Sequence, residues 1–370
     1  VLKYNSLIIK REKMYKKIHS LVLSAFLIFS TTLFADVDTT SSIKGAVNVQ
    51  GAVVSATHQP TGSTKSKSAT DDGGFFLSNL LIGGPYKVTV SAPGYGSQSI
   101  EGIFLTLNET TNLDVTLVST SLEEITVTAQ AGQGSIRMGT GTFLDRDALD
   151  GIPTVNRSIA DFAKLDPRVS INSGSSRYSE ISVMGQNNRF NDFTFDGVSF
   201  NDPFGLNANG FGSMRNPVGM EFVDQMSVDV TPFDVSRGNT TGGSIATVTK
   251  SGTNDFHGSV FFIQRDEDNI GEDPDGNEFP EFSEETQGFT FSGPIIKDKL
   301  FFFVGYEEFE AASPALYGTS DSSAPQKADV LTTAMADQIK SIAKSRYNYD
   351  AGEISNFATP ESSEKTMIKL

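Results

Sequence analysis

Few residues in this sequence have chemistry to offer. The three histidines, His19, His58 and His257, stand far apart and share no ligand spacing. Neither a His-based metal centre nor a Ser-His-Asp triad is expected from them. There is no cysteine, which removes disulfides, thiolate catalysis and Cys-ligated zinc or iron–sulfur sites. Asp71-Asp72-Gly73 lacks the alternating acidic ligands and distal Glu of a calcium loop and reads as a tight turn. No metal, no cofactor and no enzymatic activity are expected, because nothing pairs a nucleophile with a base. What remains is the chemistry of the main chain. Glu123-Glu124-Ile125-Thr126-Val127-Thr128-Ala129 alternates polar and β-branched residues and runs into Gln130-Ala131-Gly132-Gln133-Gly134. An extended segment beside a flexible tether can add its backbone to the sheet edge of a partner. The same spacing fits a last strand of the domain before it, and both readings stand. A loop at residues 201–215 offers a second candidate. Its Phe204, Asn207, Asn209 and Phe211 provide stacking faces and amide hydrogen bonds for a sugar or peptide, or they pack the loop on its surroundings.

These candidates need elements to hold them. The chain has 370 residues, of which 38% are hydrophobic and 20% charged, a length that suits two or three domains. The formal net charge of -16 argues against a nucleic-acid partner. Lys16 and Lys17 precede an apolar run at 21–29 and then Ala35 before Asp36, the layout of a signal peptide over residues 1–35. Met14 reads as the true start, with residues 1–13 upstream of it. The apolar run is too short to span a bilayer of about 30 Å. No later run is long enough either, so a membrane role must use strands.

Residues 36–42 read as a polar leader. Strands are expected at 46–49, 52–54, 74–77, 86–90 and 113–117, with turn signals at 59–62, 71–74, 83–85 and 92–94, the spacing of a small β-sandwich. Residues 135–250 mix signals: a helix at 159–165 stopped by Pro167, and strands at 180–185, 191–198, 221–230 and 244–250. From Phe256 the strands become amphipathic and rich in Phe, at 258–265, 288–293 and 299–308. Phe289 and Phe291 share one face, with Thr290 and Ser292 on the other; Leu300, Phe302, Val304 and Tyr306 form another apolar face. A short connection at 294–298 and a long acidic loop at 266–285 complete the pattern of a transmembrane β-barrel, although a soluble sheet has the same alternation. Residues 313–360 read as a polar loop whose one helix docks through Leu331, Met335, Ile339 and Ile342.

Taken in order, these segments resemble the TonB-dependent outer-membrane receptors, most closely their Oar-like branch. Residues 43–118 are similar to a carboxypeptidase regulatory-like domain, on Asp72-Gly73-Gly74-Phe75-Phe76-Leu77-Ser78-Asn79-Leu80 and Gly84-Pro85-Tyr86 leading to Ala92-Pro93-Gly94-Tyr95. Residues 122–129 look like the TonB box. Residues 130–254 resemble the plug, on Ile181-Ser182-Val183-Met184-Gly185-Gln186-Asn187-Asn188-Arg189-Phe190-Asn191 with Asp196-Gly197-Val198, and on Pro232-Phe233-Asp234-Val235 with Thr241-Gly242-Gly243-Ser244. Residues 256–370 resemble the first barrel strands, on Phe256-His257-Gly258-Ser259 and Gly293-Pro294-Ile295-Ile296-Lys297-Asp298-Lys299-Leu300-Phe301.

The implied fold class is mainly β: an N-terminal β-sandwich, an α+β plug domain and the start of a transmembrane antiparallel β-barrel. The barrel is incomplete, because the family's has about 22 strands, and the chain therefore reads as part of a longer receptor. The resemblance implies a Gram-negative outer-membrane protein with a periplasmic N-terminal domain, taking up a large ligand such as an oligosaccharide, peptide or siderophore. Its implied partners are TonB, with its inner-membrane energising complex, and outer-membrane lipid. Glu123, Glu124, Ile125, Thr126, Val127, Thr128 and Ala129 would bind TonB. Lys250, Ser251, Gly252, Thr253 and Asn254 would be the hinge between plug and barrel. Arg189 and Arg237 would pair with carboxylates of the barrel lumen, or sit as surface charges. A surface adhesin or binding module and a protein-secretion receptor of the Oar type are the alternatives.

Overall fold

The computed structural model describes residues 39–370 apart from 108, 120–124, 129–134, 138–139, 155, 176–177, 232–240, 270, 272–281, 315–316, 323, 325 and 353–357. The expected signal peptide lies outside the described residues.

The first layer pair is a sandwich. Strands β1 (Thr40–Ala46), β2 (Val53–His58), β3 (Ser63–Ser68), β4 (Gly74–Leu81), β5 (Gly83–Ser91), β6 (Gln98–Leu105), β7 (Glu109–Asn112), β8 (Ile125–Thr128) and β9 (Ser135–Arg137) form two sheets, ordered β4-β1-β7-β9 and β3-β2-β5-β6-β8. Alternation puts the core on the inner faces. On β2 and β5, Val54 lies opposite Val90, Ala56 opposite Val88 and His58 opposite Tyr86, and all six are buried. They meet Ile43, Phe75, Leu77, Leu113 and Val115 from the other sheet. The first strand begins at Thr40, inside the expected polar leader, and ends at Ala46, where a strand was expected to begin. Hydroxyl pairing explains the shift: Ser41 Oγ donates to Glu109 O at 2.8 Å and Ser42 Oγ lies 2.8 Å from Thr110 Oγ1. β3, Ser-Thr-Lys-Ser-Lys-Ser, carries no hydropathy signal and is exposed throughout. It is a polar edge strand whose lysines discourage further pairing.

The second part of the fold covers the region expected to be the plug and takes that name. A five-stranded sheet runs β10-β15-β16-β13-β14, from β10 (Gly141–Leu144), β13 (Asp192–Phe195), β14 (Val198–Ser199), β15 (Val223–Asp229) and β16 (Ser244–Thr249); β11 (Val169–Ser175) and β12 (Tyr178–Val183) make a separate hairpin. β16 is buried at every position, because both faces of the sheet are covered. Helix α1 (Arg146–Gly151) is capped by Asp145, and α2 (Ile159–Ala163) starts in a Ser158–Asp161 capping box. The core joins Leu149, Ile159, Phe162, Ile181, Phe193, Met226 and Ile245.

The third part is a wall. β17 (His257–Asp266), β18 (Ser283–Ile296), β19 (Leu300–Pro314) and β22 (Ala358–Lys369) pair antiparallel in the order β17-β18-β19-β22. Their alternation is sharp. Val260, Phe262, Phe289, Phe291 and Ile368 are exposed on one face, whereas Thr290, Ser292, Phe303, Glu307 and Phe309 are buried on the other. The buried face lies on the plug, since Phe303 belongs to the plug core and Phe222 meets it edge-on at 6.2 Å. Gly305 is required there: a Cβ would stand 2.6 Å from a ring carbon of Phe222. Between β19 and β22 lie the two-residue strands β20 (Tyr317–Gly318) and β21 (Gln326–Lys327), and helix α3 (Thr333–Tyr347). The docked apolar helix face is not observed. Met335, Ile339 and Ile342 are exposed and only Ala336 is buried, because the described loop around α3 brings no apolar surface against them. Among the described residues no helix is long and apolar enough to cross a membrane.

His58 gives the sandwich a pH dependence. Its ring packs 4.9 Å from Tyr86, its Nδ1 lies 2.8 Å from Thr61 Oγ1, and burial pushes its pKa down to about 4. The folded state holds it neutral, while the unfolded chain takes up the proton from about pH 6.5. Stability is therefore lost as pH falls from about 6.5 to about 4, by on the order of 2 kcal/mol, and is flat above that window. The protection factors of β2 and β5 amides, exchange rates corrected for the intrinsic pH dependence, should fall as pH falls across that window in the wild type and less steeply in His58→Gln; equal slopes contradict the assignment.

Candidate functional site

The segment expected to bind TonB, residues 123–129, is the first site. Glu123, Glu124 and Ala129 lie outside the described residues. Ile125–Thr128 form β8, which runs parallel to β6 with Gln98 opposite Ile125, Ser99 opposite Thr126, Ile100 opposite Val127 and Glu101 opposite Thr128. Of the two readings left by the sequence, the backbone here is a strand of the sandwich, at the edge of its sheet and followed by β9. It keeps one edge clear of the described strands, as the outermost member of its sheet. After residues 129–134 the chain forms β9, antiparallel to β7, and then β10, at the edge of the plug sheet, which among the described strands pairs only with β15. Buried Asp166 fastens β10. It accepts from Thr142 Oγ1 at 2.9 Å and from the Arg168 guanidinium at 2.6 and 2.8 Å, which holds its carboxyl down at about 2.

The junction of plug and wall is the second site. Lys250 N donates to Phe222 O at 2.7 Å, and burial lowers the pKa of its ammonium despite the carboxylates of Asp150 and Asp224. A Cβ at Gly252 would collide with the carbonyls of Phe302 and Gly293, so glycine is needed for the chain to pass the wall. Ser251 is exposed, and Thr253 Oγ1 donates to Asp255 O at 3.1 Å. Asn254 is clamped from two sides. Its N–H donates to Pro60 O of the sandwich at 2.8 Å. Its side chain exchanges hydrogen bonds with Asp298 in the β18–β19 turn, at 2.8 and 2.9 Å.

The plug loop is the third. Phe204 is 81% exposed, whereas Phe211 is buried and packs tilted against Phe193, ring centres 4.5 Å apart. Asn209 is buried too, and its amide donates to Ser213 O and Met214 O at 2.9 and 3.1 Å. Asn207 donates to Phe211 O at 2.7 Å. Asp202 accepts three backbone N–H groups, from Phe204, Leu206 and Asn207, which keep its carboxyl below the usual range. The expected ligand set thus splits. Asn209 and Phe211 spend their groups on the loop itself, because an Asn-rich loop satisfies its backbone with its own amides. Phe204 faces solvent, and Asn207 lines a cleft of about 520 Å³ with Arg189, Phe190, Asn201 and Asp202.

Among the described residues Arg189 makes no ion pair with a wall carboxylate; its guanidinium donates to Leu206 O at 3.3 Å. Arg237 lies outside the described residues. Other residues make the plug–wall ion pairs. Lys369 on β22 lies 3.3 Å from Asp196 and donates to Thr249 O at 3.1 Å. Arg215 lies 3.6 Å from Glu361 and its guanidinium sits 3.4 Å over the Phe309 ring. Within the wall, Lys365 meets buried Glu307 at 2.6 Å. The alternation of β22 is the signal for Lys365 and Lys369; the expected polar loop ends at Pro360, and residues 361–370 carry no expected element. Among the described residues no group of three or more His, Cys, Asp or Glu is placed to hold a metal ion.

Comparison with known proteins assigns residues 40–118 to the carboxypeptidase regulatory-like domain family and residues 248–360 to an outer membrane beta barrel domain. The TonB-dependent transporter Oar of Myxococcus xanthus is 30% identical over 304 residues, covering 76% of this chain and 27% of Oar. The chain thus spans about a quarter of that relative's length. Among solved structures, the siderophore receptor PirA from Acinetobacter baumannii shares 23% identity (TM-score 0.38, 46% of this chain and 24% of that one). The outer membrane transporter YddB from Escherichia coli shares 19% (TM-score 0.39, 49% and 28%).

The split within the loop is measurable as stability. Phe211→Ala should lower the plug's unfolding transition by about 3–5 kcal/mol, and Phe204→Ala should shift it by no more than about 0.5 kcal/mol. Calorimetry that finds equal effects contradicts the buried placement of Phe211.

Proposed function

The chain belongs to the TonB-dependent outer-membrane receptors of the Gram-negative outer membrane, and from that premise we propose that it carries the periplasmic domain, the plug and the first wall strands of an energy-coupled importer. The outer membrane holds no energy store of its own, so the work of opening must arrive through the periplasm. The segment 123–129 is the contact through which TonB delivers it. Main-chain hydrogen bonds carry such strand addition, and side chains adjust specificity.

The observation that carries this reading is the order of attachment. The coupling strand β8 is followed, after a short tether, by β9 and then by β10 on the edge of the plug sheet. A pull on β8 arrives at an edge strand held by one neighbour, where pairs break one after another. The aromatic outer face of the wall suits acyl chains. The inner face holds the plug through ion pairs and a cation–π contact, which exchange for water more readily than a dry apolar seam. The transported ligand is a large molecule, an oligosaccharide, peptide or siderophore, entering beside Phe204 and Asn207. The periplasmic sandwich is a spacer that rests on the junction 250–254.

Backbone-carried recognition has a clear mutational signature. Deletion of residues 123–129 should abolish capture by the TonB C-terminal domain. Val127→Pro, which removes a donor and fixes φ, should weaken it at least tenfold, while Thr126→Val should change it less than threefold. Full capture by the deletion variant contradicts the assignment of the segment.

A further inference from the structure

The two edges of the sandwich sheet that holds β8 are built differently. At one end β3 is polar, exposed at all six positions, and carries Lys65 and Lys67, the usual protection for a strand with a free edge. At the other end β6, Gln-Ser-Ile-Glu-Gly-Ile-Phe-Leu, has no such protection. Its Ser99, Ile100, Ile103 and Leu105 are buried and its one acidic residue, Glu101, is engaged by Lys87 at 3.2 Å. β8 covers that edge over Gln98 to Glu101. The covering strand is the very segment read as the coupling segment. On the far side of the tether β9 is clipped to β7, in the opposite sheet.

We propose that the sandwich is a latch on the coupling strand: in the resting chain β6 holds Ile125–Thr128, and a periplasmic partner obtains this strand by displacing it from β6. The proposal rests on the reading of 123–129 as the TonB contact and adds a regulatory role for the domain that precedes it. The exchange trades one set of strand hydrogen bonds for another, so the gain per bond is small. It also uncovers the unprotected β6 edge. Partner binding is thereby held below what the free strand would give, and the sandwich, rather than the plug, bears the first load.

The chain has no cysteine, so a crosslink tests the latch cleanly. Glu101→Cys with Thr128→Cys places two thiols on directly opposite residues of β6 and β8, within the usual Cα separation of a disulfide. Ser55→Cys with Ser66→Cys, whose hydroxyls are 2.8 Å apart on β2 and β3, is the positive control. In the full chain the Glu101/Thr128 pair should oxidise as readily as the control. Oxidation should then cut capture by the TonB C-terminal domain at least tenfold, and reduction should restore it; the control disulfide should leave capture unchanged. A crosslink that forms without affecting capture overturns the latch and leaves the coupling segment intact, since the partner then uses the open edge of β8. A control that crosslinks while the Glu101/Thr128 pair does not also overturns it. Crosslinking with no capture by wild type or by reduced variant overturns the coupling reading, and the latch with it.

Discussion

Backbone hydrogen bonding between strands is the interaction on which the rest of this structure depends. A peptide group withdrawn from water without a partner is costly. In the wall, the meander β17-β18-β19-β22 satisfies each strand with its neighbour, which allows one face to be covered in Phe and Val. In the plug, β16 is sealed on both faces and both edges, while β10 has one edge paired. In the sandwich, the unprotected β6 edge takes β8. Among the described strands β16, β18 and β19 are paired on both edges, whereas β17, β22, β10 and β8 are each paired on one.

The contact between plug and wall is mixed in character. Phe222 on Phe303, made possible by Gly305, is a dry aromatic contact. Around it lie Lys369 with Asp196 and Arg215 with Glu361 and Phe309. Half-buried pairs of this kind add little net stability, because solvent screening and desolvation offset attraction, but they fix which groups meet. These contacts specify the position of plug against wall more than they stabilise it. The junction at 250–254 follows the same logic. Gly252 lets the chain pass close to the wall, and Asn254 ties sandwich, junction and wall turn together. These hydrogen bonds clamp the corner in this structure, at the segment expected to be the hinge.

Much of this was legible in the sequence, and the reasons are local. The wall's alternation, Phe289 and Phe291 against Thr290 and Ser292, is a period-two pattern that one strand displays alone. The sandwich core showed itself in Val54, Val88 and Val90 for the same reason. β3 and the start of β1 did not, because Ser, Thr and Lys strands are selected by their neighbours and not by hydropathy. The pairing of β8 with β6 joins residues far apart in the chain, and local spacing left it open. Phe204 and Phe211 are the same residue type in one loop, yet one faces solvent and the other packs on Phe193; only the tertiary fold separates them. Met335, Ile339 and Ile342 show the converse, a helical stripe that is real in sequence and unburied in the structure.

The central claim is that the wall turns its aromatic face to lipid and its other face to the plug. The chain has no tryptophan, so a single introduced indole reports without background. Phe262→Trp and Phe303→Trp should each be reconstituted in bilayers of lipids brominated on the acyl chains. Emission from the position-262 variant should be strongly quenched and emission from the position-303 variant should be nearly unaffected. Equal quenching at the two positions, or the reverse order, would contradict the account.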